Sequence, residues 1–157
     1  MFPKVKVRGT EKDVILVLGG MGAGVTLAEL AGAVARRDGV GTVSFVALDR
    51  MVERRIGRKV GHQEAARLEI EEARRFAGGR GAIALNAMVL IDRTFALSVR
   101  GAIEGGADII VAGAGLPLSL PEITEGTKVR LSPSCPPTGR FRLFVGAGQG
   151  TAVLRMR

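Results

Sequence analysis

The chain has 157 residues, of which 46% are hydrophobic and 24% charged, and this balance predicts a globular domain with a substantial core. The net charge is +8, but residues 130–157 carry five arginines and no acidic residue, and the other basic clusters have acidic neighbours and no interleaved aromatics. The charge therefore gives no indication of a nucleic-acid partner. The single cysteine, Cys135, excludes an intrachain disulfide.

The first segment of interest is the apolar run VILVL at residues 14–18, which predicts a strand buried on both faces. Thr26 and Glu29 have the spacing of a capping box, and they predict a helix over residues 27–37. A second strand is predicted at residues 42–48, followed by a polar connection over 49–60.

The next predicted elements continue this alternation of strands and helices. They are a helix at residues 62–77, a strand at 82–90, a helix at 93–106, a strand at 107–113 and a loop at 114–122. The order β-α-β-α-β-α-β, without hairpin patterns, predicts an α/β fold with a parallel sheet. An open doubly wound sheet and a (β/α)8 barrel both fit, and both place ligands at the carboxyl ends of the strands.

Three motifs fall at those carboxyl ends: Gly19–Gly24, Asn86–Met88 and Gly113–Pro117. The segment GGMGAG is not a dinucleotide fingerprint, because the third glycine of that pattern falls on Val25, and no Lys-Ser/Thr pair follows to make a P-loop. It is either a turn or a loop whose backbone passes against a flat ring. Asn86, a polar residue in an apolar strand, either makes a structural hydrogen bond or contacts a ligand.

The titratable residues do not indicate a catalytic group. His62, the only histidine, starts a helix and is predicted to cap it or to be solvated. Glu71 and Glu72 are predicted on a solvated helical face, and Cys135 has no histidine in its own segment. No catalytic residue and no metal ligand is therefore assigned.

Taken together, the motifs resemble the nitronate monooxygenases, also called 2-nitropropane dioxygenases, which are FMN-dependent (β/α)8 barrels. The resemblance covers about residues 12–129 and is carried by GGMGAGVTLAELAGAV, GVGTVSF, ALNAM and GADIIVAGAGLPLSLPE in that order. Flavin-type enoyl-acyl-carrier-protein reductases are relatives of this family. One departure is that Ile15 and Leu18 stand where the family often has Pro and Gln in the first strand.

The resemblance implies a set of residues that line one side of a flavin ring. They are Gly20, Met21, Gly22, Asn86, Gly113, Ala114 and Gly115. The family's catalytic histidine follows a later Gly-Gly pair, and His62 does not match its position.

The implied reaction is the oxidation of an alkyl nitronate by molecular oxygen to a carbonyl compound and nitrite. The alternatives are an enoyl reductase relative and a non-catalytic fragment. Since a full barrel takes about 250 residues, we expect residues 1–129 to form roughly half of one. We also expect weak FMN binding, no turnover by the chain alone, and association of copies through open sheet edges.

Residues 130–157 lack acids and helical periodicity, and we hypothesise that a reading-frame shift near Arg130 separates them from residues 1–129. From residue 131 onward we expect irregular structure or strands foreign to the barrel. The N-terminus has no apolar core of a signal peptide, and no apolar run has the length of a membrane span. These features predict a cytoplasmic protein with no membrane partner.

Overall fold

The computed structural model describes residues 5–6, 13–14, 16–90, 92–115, 117–133, 141–143 and 152–154. The strands are β1 (Val5–Lys6), β2 (Asp13–Val14), β3 (Val40–Ser44), β4 (Ala82–Met88), β5 (Ile109–Gly113), β6 (Arg130–Pro133), β7 (Phe141–Leu143) and β8 (Ala152–Leu154). The helices are α1 (Ala28–Ala35), α2 (Leu48–Ile56), α3 (His62–Ala77), α4 (Asp92–Glu104) and α5 (Leu120–Ile123). Within these residues no helix is long and apolar enough to cross a membrane.

The main sheet is parallel and follows the chain order β3-β4-β5-β6. One row of its register runs Val43–Leu85–Ile110–Leu131, and each of these side chains belongs to the main hydrophobic core. The predicted α/β class with a parallel sheet is confirmed, and neighbouring strands of the sheet follow one another along the chain.

The part of the predicted first strand that lies beside the main sheet, residues 16–18, is at the sheet edge. Val40 N donates to Leu16 O at 2.8 Å and Leu18 N donates to Val40 O at 2.9 Å, so residues 16–18 run beside β3. The side chains of Leu16 and Val17 are nevertheless 51% and 61% exposed. Burial on both faces was therefore a wrong prediction, because an apolar run does not reveal whether both sides of a strand are covered. Ile15 lies outside the described residues.

The helices that pack on the main sheet lie against one of its faces. The main core joins buried residues of α1, α3 and α4 to one set of strand side chains, which includes Val43 and Ile110. The alternate strand positions form a second, smaller cluster made of strand residues alone: Val40, Ala82, Ala84 and Ile109, with Val111 against them. Gly41 allows close packing of β3 on α1, because a Cβ there would overlap the Ala31 carbonyl.

The elements between β3 and β4 differ in how well the sequence predicts them. Helix α3 spans His62–Ala77, as predicted. The connection predicted at residues 49–60 contains α2, whose Leu48 and Val52 are buried four residues apart. The predicted strand 42–48 ends at Ser44, because Ala47 takes a left-handed conformation (φ 57°) and α2 begins at the next residue.

Strand β6 extends the parallel sheet beyond the predicted boundary between residues 129 and 130. Arg130 N donates to Asp108 O at 3.0 Å, and Leu131 is buried in the main core. This differs from the expectation of irregular or foreign structure from residue 131, because Leu131 continues the row of core side chains. Strands β7 and β8 pair antiparallel in a separate two-stranded sheet, and residues 134–140 and 144–151 lie outside the described residues.

Candidate functional site at the carboxyl edge of the sheet

All seven residues implied by the resemblance lie at or just beyond the carboxyl ends of strands. Gly20, Met21 and Gly22 belong to the glycine loop, residues 19–26, which connects residues 16–18 beside β3 to α1. Asn86 lies near the end of β4, and Gly113–Gly115 end β5 and begin the loop after it. Because the strands are parallel, these groups share one edge of the sheet.

Asn86 connects the first motif to the second. Its Nδ2 donates to Gly20 O at 3.3 Å, and a Cβ on Gly20 would overlap the Asn86 side chain. In the sheet register Asn86 stands between Ser44 and Val111, on the face opposite the helices. Asn86 thus makes the structural hydrogen bond that was one of its two predicted roles, and this bond fixes the entrance of the glycine loop.

The third motif packs against the loop that follows β4. Gly113 pairs with Met88 in the register, and Val89 N donates to Gly113 O at 2.8 Å. Gly115 has φ +146°, and a Cβ there would lie 3.0 Å from Val89 Cβ. The motif is therefore anchored two residues beyond Asn86 on the same edge.

Thr26 closes the glycine loop on itself. Met21 N donates to Thr26 Oγ1 at 2.9 Å, and Thr26 Oγ1 and N donate to Met21 O at 3.0 and 3.1 Å. Ser44 N donates to Thr26 O at 3.1 Å, which attaches the closed loop to β3. The capping-box prediction is wrong, because the N-cap of α1 is Leu27 and the Thr26 hydroxyl bonds to Met21.

The glycines of the loop are largely explained by the protein's own packing. A Cβ on Gly22 would lie 3.0 Å from Val46 Cβ, and one on Gly24, whose φ is +83°, would lie 3.0 Å from Met51 Sδ. Gly19 differs, since a Cβ there would meet no atom within 4 Å. Gly20 is therefore required by the position of Asn86, whatever binds at this edge. Gly22 packs tightly on Val46, and glycine at position 24 suits its positive φ.

Glu69 holds the beginning of α1, a role that the sequence analysis missed. The side chain is fully buried on α3, and its Oε1 accepts a hydrogen bond from Ala28 N at 2.6 Å. Its Oε2 makes no well-angled hydrogen bond within the described residues, but it forms an ion pair with Arg55 Nη2 of α2 at 2.6 Å. The spacing was a usable indication, because Glu69 lies three residues after Ala66 and four before Ala73 on the buried stripe.

Large apolar side chains are exposed in several loops of this edge. Met21 and Val25 of the glycine loop are 49% and 54% exposed. Leu90, after β4, and Leu118, after β5, are 76% and 80% exposed. Exposed apolar side chains in loops at one edge of a sheet are compatible with a ligand or partner surface.

The charged groups singled out by the sequence lie near charged side chains of opposite sign. His62 begins α3, as predicted, with its Nδ1 3.8 Å from Asp49 Oδ2. Glu71 pairs with Arg67 and Glu72 with Arg75, both on the surface of α3. In the described ranges no cluster of His, Cys, Asp or Glu could hold a metal ion, and Cys135 lies outside them.

A shallow hollow of about 290 Å³ lies at the opposite edge of the sheet, where β5 and β6 begin, and is lined in part by Asp108 and Lys128. Arg74 on its wall donates to Gly106 O at 2.8 Å and to Asp108 Oδ2 at 3.1 Å. These contacts join α3 to the start of β5. The hollow is remote from the residues implied by the resemblance.

Comparisons with protein-family models and with curated proteins return no match for this chain.

Proposed function

We propose that the carboxyl edge of the sheet forms one side of a flavin-binding site, in a (β/α)8 barrel of the nitronate monooxygenase type. The observation that carries the proposal is the contact between Asn86 and Gly20, which joins two of the three motifs on which the resemblance rests. The third motif lies beside Met88 and Val89 on the same edge.

The distribution of helices supports a barrel over a doubly wound sheet. A doubly wound sheet carries helices on both faces, whereas a barrel carries them on its outer face and fills its interior with strand side chains. The described helices of the main core lie on one face, and the second cluster consists of strand residues. Thr42, Ser44 and Ala84 add small buried side chains to that second face.

The residues of this edge fit a flat ring with a polar rim. Met21, Val25, Leu90 and Leu118 supply exposed apolar surface from several loops. The Oδ1 atom of Asn86 is a hydrogen-bond acceptor, so it can receive a hydrogen bond from a ring N–H. A Cβ on Gly19 would meet nothing, so backbone there can lie close to a ligand.

The redox chemistry of the proposed reaction, between an alkyl nitronate and molecular oxygen, would be supplied by FMN when it is bound. The products are a carbonyl compound and nitrite. The chain's residues bind and orient the ring: Asn86 fixes one polar contact, and the exposed apolar side chains exclude water from one side of the site. No proton-transfer residue is assigned among them.

Contacts to the flavin ring, without contacts to the phosphate, predict weak binding of FMN. Phosphate groups are usually held by backbone N–H groups at helix N-termini, and the resemblance implies that FMN phosphate is held after later strands of a barrel. We therefore expect FMN to bind this chain through the ring, without release of nitrite from propionate 3-nitronate. In a complete barrel, nitrite release would favour the monooxygenase, and NAD(P)H-driven enoyl reduction would favour the reductase relative.

The test is a titration of the ¹⁵N-labelled chain with FMN, with AMP as a control that has a different ring and the same kind of phosphate. We expect FMN to shift the amide resonances of residues 19–25 and the side-chain amide of Asn86, and AMP to leave them in place. Asn86→Leu should weaken these shifts, whereas Gln63→Leu, which removes an amide that donates to Glu104 of α4, should not. If FMN produces no shifts at this edge, the proposal fails.

A further inference from the structure

We propose that Glu69 is a positioning residue that holds the glycine loop in the shape that faces the ligand. Its carboxylate is the one fully buried charge in the described part of the chain. The proposed flavin site makes no direct use of it. The inference concerns the loop itself, and only its ligand measurement rests on the proposed function.

The carboxylate acts at the N-terminus of α1. Its Oε1 accepts from Ala28 N at 2.6 Å, and Ala28 is the first residue of the helix. The first N–H groups of a helix have no partner within the helix, and a negative charge there is favoured by the helix dipole. Since Leu27 provides no side-chain cap, Glu69 replaces the local cap with one from another helix.

The cap is connected to the site through a short series of hydrogen bonds. Ala28 follows Thr26 by two residues, and Thr26 closes the loop by bonding to both backbone groups of Met21. Met21 adjoins Gly20, whose carbonyl accepts from Asn86. Displacement of Ala28 would therefore move the loop closure and, with it, the contact at Asn86.

The role of Arg55 is to balance the buried charge. Its guanidinium contacts Glu69 Oε2 at 2.6 Å, and its side chain is 43% exposed. Because the side chain of Arg55 reaches water, its guanidinium can turn to solvent when Glu69 is replaced by a neutral residue. The reach of the side chain at position 69, more than its charge, should therefore determine the position of the loop.

Two variants separate reach from charge. Glu69→Gln keeps the length and an oxygen acceptor for Ala28 N but removes the charge. Glu69→Asp keeps the charge but withdraws the carboxylate by one methylene from Ala28 N. Amide hydrogen exchange is measured for residues 21–30, with β4 and α4 as internal references for global stability.

We expect Glu69→Gln to leave exchange in residues 21–30 close to that of the wild type. Glu69→Asp should accelerate it by about five- to tenfold, which corresponds to the loss of a helix cap, while β4 and α4 change less. The proposal is overturned if Glu69→Asp protects the loop and Glu69→Gln does not, or if exchange rises equally in the loop, β4 and α4. It is also overturned if neither variant alters the loop.

A second measurement distinguishes this inference from the proposed function. The FMN-induced shifts of residues 19–25 should be smaller in Glu69→Asp than in Glu69→Gln. If FMN shifts no resonance even in the wild type, the proposed function fails, and the exchange data still decide the role of Glu69.

Discussion

The side chain of Asn86 fills the space that a Cβ on Gly20 would occupy, and its amide donates to the Gly20 carbonyl at 3.3 Å. Strand β4 and the glycine loop are thereby locked together at the carboxyl edge of the sheet. Glycine is required at position 20 because of a neighbour in the protein, independently of any ligand.

This relationship predicts a large difference between two adjacent glycines. Gly20→Ala should destabilise the fold by about 1–3 kcal/mol, because the new methyl group must displace Asn86 or the loop. Gly19→Ala should be neutral or stabilising by up to about 1 kcal/mol, since its Cβ would meet no atom within 4 Å. Urea unfolding of both variants measures the difference. Equal stabilities would show that the loop does not pack on Asn86 in solution.

The closure of the glycine loop by Thr26 can be tested against a matched threonine. Thr26 and Thr124 are both fully or nearly fully buried, but Thr124 Oγ1 donates to Leu120 O within α5. Thr26→Val should cost about 1–3 kcal/mol, because Met21 N loses its acceptor. Thr124→Val should cost less, since Leu120 O retains the Thr124 N–H.

The diagnostic measurement for this pair is local exchange. Thr26→Val should accelerate exchange of Met21 N–H, whereas Thr124→Val should leave it unchanged. A Met21 amide that is equally protected in both variants would contradict the closure described here.

The Arg58–Glu64 pair predicts a pH effect of known sign. The hydrogen bond from Arg58 holds the pKa of Glu64 below its ordinary value of 4.5. Because the folded-state pKa is lowered, the pair stabilises the fold above pH 4.5 and loses this effect as the pH falls through the folded-state value. Both groups are exposed, so salt should screen the effect.

A carboxyl titration by NMR measures this shift directly. Arg58→Gln should raise the pKa of Glu64 towards its ordinary value, and Arg54→Gln, which removes an exposed charge from α2, should leave it in place. A Glu64 pKa that is unaffected by Arg58→Gln would contradict the pairing.

In the part of the chain that the structure describes, no strand pairs with the outer side of residues 16–18, and this exposed edge predicts self-association. The hydrogen bonds of residues 16–18 to β3 use Leu16 O and Leu18 N, so the backbone groups of Val17 point away from the sheet. We infer that two copies pair through this edge, because exposed apolar edge strands favour strand addition. Val17→Lys should shift the chain towards monomer in sedimentation experiments. Leu97→Lys, on an exposed position of α4, should not. A wild-type chain that is monomeric at all concentrations would refute the inference.

The sequence predicted best those elements whose apolar side chains repeat regularly on one face. The limits of α3 follow from its apolar period, and the buried residues Ala66, Ile70 and Ala73 keep that helical spacing. Helix α2 was missed because its charged residues suggested a connection, although Leu48, Val52 and Ile56 have helical spacing. The exposure of Leu16 and Val17 could not be predicted, since it depends on what lies beyond the sheet edge.

The sequence predicted the sheet edge at which the candidate residues lie, but it did not predict the contacts between them. The sequence placed Asn86 and Gly20 at one edge, because parallel strands share their carboxyl ends. It did not predict the bond between them, which depends on register over a separation of 66 residues. Glu69 was missed because the sequence RLEIEEARR offers several acids, although the helical spacing of Glu69 with Ala66 and Ala73 distinguishes it from Glu71 and Glu72.

The cap supplied by Glu69 also constrains the order in which the chain folds. Helix α1 has eight residues, too few to be stable alone in water, and the group that caps it lies 41 residues further along the chain. That contact closes a long loop, whose entropy cost must be met before the helix gains its cap. Helix α1 and the glycine loop should therefore become ordered only after α3 has formed. During synthesis, these N-terminal residues should fold only once the residues of α3 have emerged from the ribosome.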